Sequence, residues 1–307
     1  MIFADKNKRA MFFSLSGFSL FAIGDVFIKF LADDGFSPAE IAFFLNLFYL
    51  PFLLILSPII GGIKATLRTE KLWLHILRAI LGVACFIINV NAFQKLGLSL
   101  TYTLMFVAPF FAALIAAVFL KQQIHFHRWI AILMGFTGVV IVLRPGVESL
   151  EPAAIAVLVG AVLIAINHTL ARYIGDDEPL MAFSLFHCVI ALQVFAVLCF
   201  WDGKANIPQP DDWLYFFIIS LFHMAGILLT SKAFASGDTV IVAPFHYVQL
   251  LWGTAFGILI FSNVPDIWMR LGALVIVFSG IYLIYREHIR KVDNATAVTA
   301  LGAIDQD

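Results

Sequence analysis

The sequence predicts an all-α membrane protein, with ten transmembrane helices arranged as two inverted five-helix repeats. This prediction rests on an apolar composition, ten stretches long enough to cross a bilayer, and a pattern that occurs twice along the chain. Of 307 residues, 62% are hydrophobic and 13% are charged, whereas a soluble domain is about half apolar and about a quarter charged. Because the apolar residues form long uncharged runs instead of amphipathic stripes, lipid is the expected solvent.

Ten segments have the length that a bilayer requires. A helix needs about 20 apolar residues to cross the hydrocarbon core, because its backbone amides must bond within the segment once water is absent. The segment from Met11 to Leu31 exceeds the about 7 to 15 residues of a signal-peptide core, so it is expected to remain as an anchor. The predicted spans are residues 11–31, 41–60, 73–93, 99–120, 126–143, 153–173, 180–201, 213–234, 239–261 and 267–285.

The orientation follows from the distribution of Lys and Arg, which are retained on the cytoplasmic side during insertion. If the N-terminus is inside, most of these residues lie in cytoplasmic segments. The exceptions are Lys29, Lys95, Arg144, Lys204 and Arg270 on the opposite side and Arg78 inside the third span. We therefore expect both termini in the cytoplasm and the protein in a bacterial cytoplasmic (inner) membrane.

A repeated pattern divides the chain into two halves. Residues 129–143 and 268–285 each begin with a Trp that has an Arg nearby and continue with an aliphatic run and a Gly, so that Gly138 corresponds to Gly280. Since five spans is an odd number, homologous halves must enter the membrane from opposite sides, as in many secondary transporters. The predicted units are residues 1–146, 147–291 and 292–307, the last being a disordered cytoplasmic tail of small and polar residues.

Several other classes of function are not supported by the sequence. The net charge of −1 gives no large basic surface, so no nucleic-acid partner is expected. Cys85, Cys188 and Cys199 lie in apolar runs, where a thiol behaves as a small hydrophobic group. His125 and His127 have no acidic or thiol residue nearby, so their spacing is a weak metal signal. We therefore predict no metal and no cofactor.

Short motifs in the spans resemble the EamA-type members of the drug/metabolite transporter superfamily over about residues 11–286. The resemblance implies a central cavity lined by spans 1, 3, 4, 6, 8 and 9. It also implies transport of amino acids, nucleotide-like metabolites, vitamins or drugs in either direction. Many relatives carry an Arg early in the second span, where this chain has residues 43–46, Phe-Phe-Leu-Asn, so the role of that Arg cannot be carried over. The motifs are Gly24-Asp25 with Lys29, Ala92 to Phe110 ending in Ala-Pro-Phe, Ala243-Pro244-Phe245-His246-Tyr247 followed by Trp252, and Gly272 with Gly280.

Polar and aromatic side chains within the spans are the candidate substrate-binding residues, because polar groups inside a membrane are costly and mark binding pathways. On the eighth span, His223 shares a face with a glycine and a threonine. On the ninth span, His246 and Gln249 share a face with a glycine, which lets a ligand approach closely. The candidates are Asp25, Asn89, Tyr102, Asn167, His168, His223, His246, Tyr247, Gln249 and Trp252.

Structural roles compete with binding for several of these residues. Asp25 and Lys29 are four residues apart, so they could form an intrahelical pair, or Asp25 could bind a cationic group or a proton. Asn89 could bridge two helices. His168 could carry a proton or only pack. Arg78 could attract an anion or extend to lipid phosphates.

Pro109 and Pro244 are candidate hinges. A proline inside a helix removes an amide donor, so Pro109 would leave the carbonyl of Met105 without its usual partner, and Pro244 would do the same to Val240. Kinks of this kind could allow one half to rock against the other. Static packing kinks are the alternative.

The leading functional hypothesis is a secondary transporter that moves a small polar organic metabolite by alternating access. Coupling to protons, coupling to exchange, the substrate and the oligomeric state are left open. An intramembrane enzyme acting on lipid or prenyl substrates is the alternative, but the chain lacks the Gly-x-Ser-x-Gly and His-Glu-x-x-His patterns. A channel or scaffold is a third hypothesis, and Pro-broken inverted repeats favour a carrier over it.

Overall fold

Helices form the secondary structure of this protein in a computed structural model that describes residues 6–119, 126–144, 151–201, 205–237, 239–282 and 285. Within these ranges no strand occurs, and six helices are long and apolar enough to cross a membrane. The all-α prediction is therefore confirmed for the described residues, while the count of ten spans stays a prediction. The tail 292–307 and His125 lie outside the described residues.

The helices follow the predicted spans, with two exceptions. Their bounds are α1 Lys6–Asp33, α2 Pro38–Leu56, α3 Ile63–Thr66, α4 Leu72–Met105, α5 Ala108–Phe119, α6 Phe126–Leu143, α7 Pro152–Ile174, α8 Leu180–Phe200, α9 Asp212–Ser236, α10 Thr239–Val242, a 3₁₀ turn Ala243–Tyr247, α11 Val248–Leu259 and α12 Ile267–Tyr282. Helix α4 contains the third span and the start of the fourth, which continues in α5, and the ninth span divides into α10, a 3₁₀ turn and α11.

The start of α2 shows how local sequence sets a helix boundary. Ser37 accepts a hydrogen bond from the amide of Glu40, and the Glu40 carboxylate accepts one from the Ser37 amide at 2.6 Å. This capping box satisfies two amides that would otherwise lack partners, and Pro38 follows at the first helical position, where its missing amide is not needed. The other oxygen of Glu40 accepts the amide of Asn206, which ties α2 to the segment before α9.

In the described part of the chain, the backbone leaves the regular α-helix at three places, the first of which, Gly97, lies between the third and fourth predicted spans. Gly97 interrupts α4 with φ 75° and ψ 169°, a conformation that favours glycine. A second break at residues 106–107 separates α4 from α5. Pro109 therefore lies in the first turn of α5 and not in the middle of a continuous helix, because the helix ends before it. Pro244 lies correspondingly at the start of the 3₁₀ turn.

The most extensive helix contacts join the two halves of the chain. Helix α1 packs along α9, and α4 packs along α7. Helices α1, α4, α7 and α9 contain the first, third, sixth and eighth predicted spans. Exchanging the two halves replaces the first span by the sixth and the eighth by the third, so that the α1–α9 pair becomes the α7–α4 pair. Glycines permit the α1–α9 contact, because a Cβ at Gly17 would lie 3.1 Å from the Gly226 carbonyl oxygen. The contacts are therefore related in the way that a duplicated chain predicts.

Polar contacts connect the loops at each end of the helices. At one end, Lys6 pairs with Asp176 at 3.0 Å, and Lys71 donates to the carbonyl of Ile174 at 2.7 Å. At the other end of α1, Lys29 pairs with Asp33, and Arg144 pairs with Asp266 elsewhere on the chain at 2.8 Å. The charge distribution predicts Lys6 and Lys71 on the cytoplasmic side of the membrane and Lys29 and Arg144 on the opposite side.

Candidate substrate-binding cavity

A central cavity of about 190 Å³ lies between α1, α4, α7, α8, α9 and the broken segment that contains the 3₁₀ turn. Polar groups from both halves of the chain line it, and phenylalanine is the most frequent residue in the remaining wall. Of the candidate residues, the cavity brings together Asp25, Asn89, Tyr102, Asn167, His168, His223, His246 and Gln249.

Asp25 lies where three helices meet beside the cavity. One carboxylate oxygen accepts the Tyr102 hydroxyl at 2.5 Å, and the other lies 3.2 Å from Nε2 of His223. Lys29 does not pair with Asp25, because its ammonium donates to both carboxylate oxygens of Asp33 at 2.8 and 3.0 Å. The intrahelical pair is therefore not formed, and Asp25 connects α1 to α4 and α9.

A glycine makes the contact between Asp25 and His223 possible. A Cβ at Gly24 would lie 2.6 Å from Cδ2 of the His223 ring, which is too close for any larger residue. Phe21, one turn earlier on α1, packs against the same imidazole with ring centroids 5.1 Å apart. The sequence Gly24-Asp25 thus provides both the space and the acceptor for the histidine of α9.

Two histidines form ring stacks in the cavity wall. His168 stacks on Phe234 with centroids 3.8 Å apart, and His246 stacks on Phe18 with centroids 4.3 Å apart. The neighbour of His168, Asn167, donates its side-chain amide to the backbone carbonyl of Arg78 at 2.7 Å. Asn167 therefore holds α7 against α4, while the two imidazoles are positioned by aromatic packing.

Asn89 presents an unused acceptor. Its side-chain oxygen is buried and has no hydrogen-bond partner among the described residues. Buried polar atoms of a folded protein almost always have a partner. The interhelical bridge considered for Asn89 is thus not made by this atom, which is available to a donor in the cavity.

Two basic side chains of the cavity, those of Arg78 and His187, were not among the sequence candidates. Arg78 was placed near the membrane interface, yet it lines the cavity, and so does His187 of α8. A signal for Arg78 was present, because residues 78, 82, 85 and 89 follow one another at spacings of four, three and four and so share a helix face. Gly82 on this face accommodates His187, since a Cβ there would lie 2.7 Å from the imidazole.

Tyr247 and Trp252 are not among the described side chains that line the cavity. Tyr247 packs edge-on against Phe106 with centroids 5.2 Å apart and fits against Gly280 of α12. Trp252 is 38% exposed and donates its indole N–H to Ser19 at 3.0 Å. The substrate-binding roles of Tyr247 and Trp252 therefore stay predictions.

We expect Trp252→Phe to change the substrate KM by less than about twofold. The exposed ring is replaced by another aromatic ring, and only the hydrogen bond to Ser19 is lost, which contributes about 1 kcal/mol to stability. Initial uptake rates in proteoliposomes measure this, with Phe256→Leu, which removes the ring that stacks on Trp252, as a control for packing. A large rise in KM would return Trp252 to the binding site.

No group of three or more His, Cys, Asp or Glu side chains within the described ranges has the geometry of a metal site. His223 and Asp25 are the closest such pair in the cavity, and Tyr102 completes their contacts. The arrangement can hold a proton or hydrogen-bond an organic molecule.

Comparisons with known proteins identify the family. The EamA-like transporter family matches residues 8–144 and again residues 151–286. An S-adenosylmethionine uptake transporter of Rickettsia bellii is 26% identical over 86% of this chain and 89% of its own length. A riboflavin transporter of Brucella anthropi is 24% identical over 76% and 82%.

A crystal structure of another protein shows the same fold. It has a TM-score of 0.68 at 14% identity and covers 89% of this chain and 95% of its own. The family domain occurs twice, the described helices include six that could each cross a bilayer, and the matched relatives are transporters. This chain therefore belongs to the EamA-like transporter family and is a multi-pass membrane transporter, not an enzyme.

Proposed function

We propose that this protein is a secondary active transporter that moves a small polar organic metabolite, of amino-acid, nucleoside or vitamin type, across the cytoplasmic membrane by alternating access. The observation that supports this most directly is that both halves contribute polar groups to one central cavity. Asp25 and Asn89 come from the first half, and His223 and Gln249 come from the second. Relative motion of the halves would therefore change the site and its access together.

The broken segments provide the positions where such motion could occur. The backbone leaves the α-helix at residues 106–107 and in the 3₁₀ turn, and Phe106 and Tyr247 from these two breaks contact each other. Irregular backbone inside a membrane is tolerated where it lies in protein or beside a cavity. We assign the hinge roles of Pro109 and Pro244 to these breaks, since each proline lies in the first turn of the helical segment that follows its break.

The topology belongs to the same proposal. Ten crossings with inverted halves would put both termini in the cytoplasm. In this topology the start of α1 and the end of α7 lie on the same side of the membrane, and the ion pair of Lys6 with Asp176 joins these two ends. Cysteine-labelling at positions 34 and 177 would test the arrangement. Labelling of both positions from the same side of the membrane would contradict it.

Names of the relatives suggest the first compounds to test. S-adenosylmethionine and riboflavin both contain a planar ring system, which phenylalanine-rich walls can contact. Phe18, Phe21, Phe86 and Phe93 line the cavity. S-adenosylmethionine also carries a cationic ammonium group, for which the Asp25 carboxylate offers an acceptor.

The test is transport by purified protein in proteoliposomes. Radiolabelled S-adenosylmethionine, riboflavin and a panel of amino acids and nucleosides would be offered with and without a pH gradient. We expect saturable uptake of at least one compound, accelerated by the same compound on the opposite side. Flux without saturation would favour a channel, and the absence of flux across the whole panel would overturn the proposal.

Coupling to protons is the mode of energy input that the Asp25–His223 contact favours. Their side chains lie 3.2 Å apart beside the cavity, so a proton could move between them when substrate binds. Uptake driven by an imposed pH gradient alone would support this mode. Uptake that requires substrate on the opposite side, with no response to pH, would show exchange.

A further inference from the structure

We infer that Arg78 binds a carboxylate or phosphate group of the transported metabolite. The inference rests on the proposed function and adds to it the chemical class of the substrate. Arg78 lies on α4 with only 8% of its surface exposed, and its side chain lines the central cavity. The sequence leaves open whether Arg78 attracts an anion or extends to lipid phosphates, and no relative's name assigns a role to this residue.

Arg78 carries a charge that no described acidic side chain neutralises, since it forms no salt bridge within the ranges that the structure describes. Its guanidinium makes two long hydrogen bonds, from Nε to the Asn167 carbonyl at 3.4 Å and from Nη2 to the Ser231 hydroxyl at 3.5 Å. An isolated buried charge is costly, and charges inside membrane proteins are normally paired. The partner is therefore expected to arrive from outside the chain.

Extension to lipid phosphates does not explain the position of Arg78. A snorkelling arginine keeps its charged head in the interface and exposes it, whereas this side chain is enclosed by α4, α7, α8 and α9. The ring of Phe183 lies 4.9 Å from the guanidinium carbon, so a cation–π contact holds the group in place. Nη1 makes no hydrogen bond to any described residue, which leaves it free to donate to a ligand.

The position of Arg78 relative to Asp25 constrains the ligand further. Arg78 contacts Ser231, and Asp25 contacts His223, eight residues earlier on the same helix α9. At about 1.5 Å per residue, these two contact points are about 12 Å apart along the helix axis. An elongated molecule with its anionic group at Arg78 could therefore place a cationic or hydrogen-bond-donating group near Asp25.

The test compares ligands that differ only in the negative charge. Binding to the purified full-length protein would be measured with S-adenosylmethionine and its decarboxylated form, and with L-methionine and L-methioninamide. Inorganic phosphate serves as a separate arm for phosphate groups. We expect the carboxylate-bearing member of a pair to bind about tenfold to a hundredfold more tightly to the wild-type protein, as charge-assisted hydrogen bonds allow.

Substitution at Arg78 supplies the second comparison. Arg78→Gln is expected to remove the preference within a pair while leaving the binding of the member that lacks a carboxylate within about twofold. Arg78→Lys is expected to retain part of the preference, because it keeps the charge without the planar fork. Arg172→Gln is the matched control, since Arg172 donates to the carbonyl of Ala235 at 3.2 Å and is not a lining residue.

The outcomes separate this inference from the proposed function. If the wild-type protein binds both members of every pair equally, or Arg78→Gln keeps the preference, the inference is overturned although transport stands. Because the wild-type ligand pairs need no variant, a misfolded Arg78→Gln protein does not remove the test. If neither these compounds nor the transport panel is bound or moved, the proposed function falls and the inference with it.

Discussion

Asp25→Asn is expected to reduce the initial rate of substrate transport by about tenfold to a hundredfold. The asparagine side chain can still accept the Tyr102 hydroxyl, which now lies 2.5 Å from the carboxylate, so the shape of the site is largely kept. The substitution removes the negative charge, and with it the electrostatic attraction of position 25 for His223 and for a cationic group of the substrate. A hydrogen bond to a charged group contributes about 1.5–3 kcal/mol, which corresponds to this range of rates.

The measurement is uptake into proteoliposomes at several pH values, with and without an imposed pH gradient. If Asp25 is the proton site, the variant should lose stimulation by the gradient while retaining some exchange of substrate. Asp33→Asn is the matched control, because Asp33 pairs with Lys29 at the end of α1, away from the cavity. Full gradient-driven uptake by Asp25→Asn would remove Asp25 from the coupling mechanism.

Gly17→Leu is expected to prevent stable packing of α1 against α9. A Cβ at position 17 would lie 3.1 Å from both the Gly226 carbonyl oxygen and the Thr230 amide nitrogen, and 2.7 Å from the Thr230 methyl group. Backbone atoms cannot rotate away as a flexible side chain can, so the two helices must separate. We expect a loss of about 3 kcal/mol or more in the free energy of unfolding.

Thermal unfolding and gel filtration in detergent measure this effect. Gly17→Ala should show a smaller loss in the same direction. The control is Thr137→Leu, which adds the same side chain to an exposed position of α6. A monodisperse Gly17→Leu protein with a wild-type melting temperature would show that α1 and α9 do not pack as described.

The ion pairs of α1 show where sequence reasoning reaches its limit. Lys29 has an aspartate four residues before it and another four residues after it, so helix geometry alone allows either pair. The structure selects Asp33 because Asp25 has two other partners, Tyr102 and His223, that are remote in sequence. Such competition depends on tertiary contacts, which no local pattern contains.

Broken helices were also only partly predictable. The prolines correctly marked the two regions where the helix is irregular, because proline cannot continue a regular helix from within. They did not give the position of the break, since Pro109 lies in the first turn after it. The non-helical Gly97 falls between the third and fourth predicted spans, where an interruption is expected. The apolar length of the spans, by contrast, followed directly from composition.

Arg78 illustrates a third kind of limit. The length of an apolar segment predicts how deep in the bilayer a charged residue lies. It does not predict whether the side chain faces lipid or protein. Its helix face was recoverable from the spacing to Gly82, Cys85 and Asn89. Whether that face met a cavity depended on α7, α8 and α9, whose arrangement the sequence does not state.

The pairing of α1 with α9 has a consequence for synthesis. Asp25 and His223 are 198 residues apart, so at about 5–20 residues per second the first helix emerges from the ribosome about 10–40 s before its partner. During that interval its glycine-lined face and its carboxylate lack the helix that covers them. The α1–α9 contact can therefore form only after most of the chain has been translated.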